Sequence, residues 1–184
     1  TEFGAHVFPN DSTAIQDGRL QRIADDKFLF TRYADEGGMD IAWLPTFSYK
    51  ARAKGLKVFI VSTVAWYCSL NNWTPQQYGQ HIYDLLYGAS SYIDNGTIFG
   101  IEIGAEESDC YRDNPNDFRW FWNPPIGSGW WFGRDLSGEE FADYYIAAKE
   151  RIMNSPYASW KNLEIWSSGS PEKHESLTYT PTHT

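Results

Sequence analysis

The sequence predicts an α/β domain in which parallel strands alternate with helices, and three observations carry that expectation. The run Leu56-Lys57-Val58-Phe59-Ile60-Val61-Ser62 is nearly continuous in apolar residues and rich in β-branched ones, as in strands buried on both faces of a parallel sheet. A helical stretch ends at Gly55, where a left-handed cap belongs, and leads straight into that run. The helix-then-strand alternation returns further along the chain, with helix-start signals ahead of the later helices.

In chain order, Phe3 to Phe8 is short and apolar, is ended by Pro9-Asn10-Asp11, and reads as the first strand. Residues 13–26 carry Ile15, Leu20 and Ile23 among polar side chains and suggest a short or broken helix. Phe28 to Tyr33 is aromatic and β-favouring, is closed by Asp35-Glu36-Gly37-Gly38, and reads as the second strand. Phe47, Ala51 and Leu56 stand at roughly helical spacing, with Lys50, Arg52 and Lys54 placed to suit the helix dipole. The third strand follows. Thr74-Pro75-Gln76-Gln77 then offers an N-cap, a proline at the first helical position and a glutamine at the third. Tyr78, Ile82, Leu85, Leu86 and Ala89 continue that helix at its period. Asn95-Gly96 makes a turn into a fourth strand, Ile98 to Ile103. A long loop covers about 107–136 and ends at the capping box Ser137-Gly138-Glu139-Glu140. Phe141, Tyr145, Ala148 and Ile152 form the apolar stripe of a helix over 137–154, which Pro156 stops. Leu163 to Trp166 reads as a fifth strand. Five strands alternating with four helices imply one βα-repeat domain over 1–168, with its sheet either open or closed into a barrel, and a polar Thr/Pro-containing tail over 169–184.

Composition narrows the partners. The 184 residues carry a formal net charge of −9, which argues against nucleic acid, whose phosphates need a basic stripe. No apolar run reaches the ~18–20 residues that span a bilayer. The first residues carry no leader pattern, and Thr1-Glu2-Phe3-Gly4 reads as a mature start. Sequons at Asn10, Asn72 and Asn95, all in expected loops, point to a glycosylated, secreted protein. Cys68 and Cys110 lie at similar distances beyond adjacent strands, so a disulfide between two loops and a pair of buried thiols are both open. No nucleotide-binding glycine loop follows any strand, the four His lack zinc spacing, and Asp109, Asp113, Asn114, Asn116 and Asp117 do not match a calcium loop. No cofactor or metal is expected.

Sites in parallel α/β folds form at the loops that follow the strands. Glu106 comes directly after the fourth strand, with Glu102 and Glu107 near it in sequence. Crowded carboxylates raise one another's pKa, which keeps one protonated for proton donation, and paired carboxylates are the machinery of sugar hydrolysis. The plainer reading is that these acids are solvated or paired with Arg32 or Arg112. Aromatic residues make up 17% of the chain, and many fall in loops. Trp66 and Trp73 follow the third strand, while Trp120, Trp122, Trp130 and Trp131 lie in the long loop. Such rings stack on sugars, or form the loop's own small core.

Ile101-Glu102-Ile103-Gly104-Ala105-Glu106 resembles the fourth-strand motif of the retaining glycoside hydrolases with (β/α)8 barrels, in which a strand ends in Gly-Asn-Glu or a close variant. The resemblance implies that Glu106 is the general acid/base. Arg32 is similar to the arginine that those enzymes carry near the nucleophile. The fold implied is TIM-barrel-like, a partial (β/α)8 barrel that a further chain segment or a subunit completes. The family's Asn is Ala105 here, and its nucleophile, a Glu after the seventh strand, has no counterpart in these residues. The expectation is a secreted, extracellular hydrolase or hydrolase-like domain acting on carbohydrate. Its alternative is a catalytically inactive glycan-binding or structural glycoprotein built on that fold.

Overall fold

The computed structural model describes residues 4–7, 12–35, 41–64, 73–104 and 138–167. The strands are β1 (Gly4–Val7), β2 (Phe30–Asp35), β3 (Lys57–Ser62), β4 (Ile98–Ile103) and β5 (Glu164–Ser167). They form one sheet in the order β1-β2-β3-β4-β5, and each neighbouring pair is parallel. The helices are α1 (Thr13–Asp25), α2 (Leu44–Ala53), α3 (Pro75–Gly88), the short α4 (Ser90–Asp94) and α5 (Gly138–Met153), with a 3₁₀ turn at Ala158–Asn162. No helix among the described residues is long and apolar enough to cross a membrane.

Strand pleating and strand order together decide where the core sits. Successive side chains of a strand point to opposite faces. The register aligns Tyr33, Ile60, Ile101 and Ile165 across four strands, and all four pack into one cluster with Leu20 and Ile23 of α1, Phe47 of α2, Ile82 and Leu85 of α3 and Ala148 of α5. The helices therefore share one face of the sheet. This follows from the topology: parallel crossovers are right-handed, and strands added in sequence to one edge send each crossover to the same side. The opposite face holds a second, smaller cluster of Phe59 and Val61 with Phe30 and Phe99, to which no helix among the described residues contributes.

The local signals read from the sequence explain most boundaries. Thr74 Oγ1 accepts from the Gln77 amide, and the Gln77 side chain accepts from the Thr74 amide, so the expected capping box starts α3. Burying Ile82, Leu85 and Leu86 contributes about 1.5–3 kcal/mol each, against about 1 kcal/mol for the cap. Packing, more than capping, holds this helix. Gly55, at φ 74°, ends α2 with its amide on the Arg52 carbonyl and the Leu56 amide on the Ala51 carbonyl. Ser137, read as the cap of the last helix, lies outside the described residues, and α5 is described from Gly138.

Three expectations need correction. Residues 13–26 do not break: α1 runs unbroken for 13 residues, because Gly18 faces solvent while Gln16, Leu20 and Ile23 turn inward. The second strand is displaced from Phe28–Tyr33 to Phe30–Asp35, because Phe28 closes α1 instead of opening β2. Its amide bonds the Ile23 carbonyl while the Lys27 amide bonds the Ala24 carbonyl, the paired contacts of a Schellman end, and the Phe28 ring packs on the core. The chain also forms α4 after a break at Ala89, where the Ala89 amide bonds the Leu86 carbonyl and the Ser90 hydroxyl adds bonds to the Leu86 and Tyr87 carbonyls at the end of α3.

Two substitutions test this account. Lys27 sits at φ 64°, in the left-handed region where a side chain costs roughly 1–2 kcal/mol. Lys27→Gly should raise unfolding stability in urea by about 1 kcal/mol, the relief of strain being partly offset by glycine's extra unfolded-state freedom. At Gly79 a Cβ would lie 2.9 Å from the Ala147 carbonyl oxygen, where α3 and α5 meet. Gly79→Ala should lower stability by about 1–2 kcal/mol, because overpacking of this kind outweighs the ~1 kcal/mol gain in helix propensity.

Candidate functional site

The sheet separates two polar systems near the carboxyl ends of its strands. On the helix side, Asp35 is the last residue of β2 and Ser62 the last of β3, paired in register. Ser62 Oγ donates to Asp35 Oδ2 at 2.7 Å and accepts from the Tyr78 hydroxyl at 2.9 Å. His81 Nε2 lies 3.0 and 2.9 Å from the two Asp35 oxygens. A carboxylate only accepts, so Nε2 carries the ring proton it shares with Asp35. Asp35, Ser62 and Tyr78 are fully buried, and His81 is nearly so. Ser, His and Asp are the residue types of a serine hydrolase, but here the carboxylate lies between the other two. The Ser62 proton faces Asp35 and not His81, so the imidazole is not placed as a base on Ser62 as it is in such a hydrolase. The network ties the ends of β2 and β3 to α3 and serves structure.

On the opposite face, Arg32 of β2 reaches across β3 to Glu102 of β4, with Nη2 donating to Oε2 at 2.7 Å. The Arg32 side chain is 37% exposed and that of Glu102 17%, so solvent reaches both. Beneath them lies an aromatic layer. Phe59 contacts Phe30 at 6.1 Å and Phe99 at 5.3 Å between ring centroids, and meets Trp166 of β5 at 4.9 Å. The register explains how β3 and β5 touch across β4. Phe59 pairs with Gly100, and the missing side chain there leaves the gap through which Phe59 and Trp166 meet. A Cβ on Gly100 would lie 2.7 Å from the Phe59 ring and 2.9 Å from the Glu164 carbonyl oxygen. The register shift between Val58 and Phe59 makes Phe99 the extra residue, so that Phe99 and Gly100 both address this face.

Of the residues singled out by sequence, Arg32 lies on the helix-free face and is paired with Glu102, as the plainer reading of the acids anticipated for one of them. Trp73 stands just before α3, half-buried against the main core, its ring 5.4 Å from that of His81 and its carbonyl accepting from the Tyr144 hydroxyl. Asn95 is exposed in the turn that enters β4, at the opposite end of the strand from Glu102, and its Oδ1 accepts from both the amide and the hydroxyl of Thr97. Glu106, Glu107, Trp66, Trp120, Trp122, Trp130, Trp131, Asn10, Asn72, Cys68 and Cys110 lie outside the described residues. β4 ends at Ile103, and Gly104, at φ 89°, bonds the Ser62 carbonyl two residues before Glu106. Among the described residues no three His, Cys, Asp or Glu side chains are grouped to share a metal ion. The sequence reading passed over Asp35, Ser62, His81 and Trp166. Strand-final Asp35 and Ser62 were the available signal for the buried network.

No protein-family profile, curated protein or solved structure matches this chain.

The two systems should respond differently to truncation. Asp35→Ala removes the buried acceptor that Ser62 and His81 share and should cost about 3 kcal/mol in urea unfolding. Arg32→Ala removes a part-buried pair that solvent still reaches and should cost about 1 kcal/mol, less than the buried network. Equal losses would show that the Arg32–Glu102 pair is structural in the same sense as the buried network.

Proposed function

We propose that this chain forms the first part of a secreted, TIM-barrel-like glycoside hydrolase or hydrolase-like domain, acting on carbohydrate at the loops after β3 and β4. The observation that carries this reading is the helix-free sheet face, on which Arg32 meets Glu102, a residue four positions before Glu106 in the sequence. A sequential parallel sheet with helices on one side is compatible with the first arc of a (β/α)8 barrel, in which the helix-free face would be the inner one. A further chain segment or a subunit closes the barrel in this reading.

The chemistry assigns Glu106 the acid/base role. Its proton passes to the glycosidic oxygen as the bond from that oxygen to the anomeric carbon breaks. A carboxylate from beyond these residues forms the new bond to the anomeric carbon. Water then attacks that carbon, giving its proton to the Glu106 carboxylate, and the enzyme carboxylate leaves. Arg32 supports the site from β2 through its charge. Trp66, Trp120, Trp122, Trp130, Trp131 and Glu107 are assigned to binding the sugar chain, as is Trp73, at the end of the segment that joins β3 to α3. Cys68 and Cys110 join the two loops in the oxidising compartment, where Asn10, Asn72 and Asn95 carry glycans.

One observation favours the alternative of an inactive glycan-binding or structural glycoprotein. Arg32 already shares its charge with Glu102, which leaves less of it for a nucleophile. Glu106→Gln in the natural full-length protein separates the two readings. For a hydrolase, turnover of oligosaccharides should fall by about 10²–10⁴-fold with affinity unchanged. Wild-type protein that binds glycans but hydrolyses none establishes the alternative. Unchanged turnover in the variant removes Glu106 from the mechanism.

A further inference from the structure

Trp166 was read from sequence only as part of a strand. It lies in β5 at the register position beside Glu102, on the helix-free face, and is 54% exposed. We infer that Trp166, Glu102 and Arg32 form a seat for one uncharged pyranose ring of a sugar chain. The indole stacks on the ring's C–H face, and the ion pair binds its hydroxyls. This inference rests on the carbohydrate reading above and adds to it the residues that hold a ring and the charge class of the sugar.

Four features support the seat. The Trp166 ring is held rather than free: it packs at a tilt on Phe59, which is itself buried, and the residue is still about half-exposed. A fixed aromatic plane loses little freedom when a ligand covers it. Spacing is the second feature. Neighbouring strands lie ~4.8 Å apart, about the width of a six-membered sugar ring. A ring over Trp166 therefore brings its hydroxyl edge to Glu102. Third, each sugar hydroxyl both donates and accepts, and the pair presents both partners side by side. Glu102 Oε2 takes one guanidinium N–H at 2.7 Å, and among the described residues its second oxygen and the other Arg32 donors remain to serve a pair of adjacent hydroxyls. Fourth, the charges of Arg32 and Glu102 cancel, and the chain as a whole carries −9. A carboxylated sugar gains no unmatched cation here and meets an acidic protein.

The test uses neutral hexasaccharides (cello-, xylo-, manno- and laminari-) and an oligogalacturonate, titrated calorimetrically against the full-length protein. Wild-type protein should bind at least one neutral chain and bind the anionic one more weakly. Trp166→Ala should weaken that neutral binding about tenfold, the loss expected for one aromatic stacking contact, and Trp166→Phe should restore part of it. Bound sugar should also protect Trp166 from N-bromosuccinimide oxidation in the wild-type protein, read by peptide mass mapping. That readout needs no variant to fold. Neutral binding with Trp166 unprotected overturns the seat and leaves the carbohydrate reading standing. Preference for the anionic chain overturns the charge assignment. Absence of binding and hydrolysis with every sugar overturns both the seat and the function on which it rests.

Discussion

Strand order is the constraint from which the rest of this structure follows. Five parallel strands laid down in sequence leave the helix-bearing connections one side of the sheet to occupy. The helices thus build a single apolar layer over Tyr33, Ile60, Ile101 and their neighbours. The other face receives every alternate strand residue, and no helix among the described residues covers it. A doubly wound sheet would have buried both faces and required apolar residues on each. Here the helix-free face tolerates Arg32 and Glu102 because solvent reaches them.

That asymmetry assigns different work to two polar clusters of similar composition. Asp35 and Glu102 are both carboxylates near strand ends, each held by a basic side chain. Asp35 points into the helix layer, where an unpaired charge would be costly, and besides His81 the side chains of Ser62 and, through Ser62, Tyr78 converge on it. Such a group is spent on holding β2, β3 and α3 together. Glu102 points away from the helices and, among the described residues, is paired with Arg32 across β3, with solvent at its side. Only the second arrangement leaves hydrogen-bonding capacity over for a ligand. Burial, more than residue type, therefore separates the structural cluster from the candidate site.

Much of the fold was legible because its signals are local. The capping box at Thr74, the glycine at 55 and the apolar run of β3 act within a few residues, and each appears where the sequence places it. The errors arose where a local signal was shared by two elements. Phe28 is aromatic enough to open a strand, but its ring and amide are claimed by the end of α1, and β2 starts two residues later. The contacts at the candidate site were out of reach for a different reason. Arg32 and Glu102 are 70 residues apart, and His81 and Asp35 are 46 apart. Their meeting depends on strand register, which periodicity alone does not fix. Arg32 was singled out by resemblance, while Trp166 passed for an ordinary strand residue because nothing in its neighbourhood marks the face it joins.

The register shift in β4 shows how closely that face is specified. A strand in strict alternation would send Phe99 and Gly100 to opposite sides. The extra residue brings both to the helix-free side, with Ile98 and Ile101 remaining in the helix-side core. Phe99 fills the space beside Phe30, and Gly100 vacates the space between Phe59 and Trp166. Aromatic packing is thereby drawn towards the strand starts, and the place beside Glu102 is left to a single ring supported from beneath. A side chain at position 100 would collide with the Phe59 ring on which Trp166 rests. The position of the exposed indole relative to Glu102 is thus set two residues away, by a bulge and a glycine that have no polar chemistry of their own.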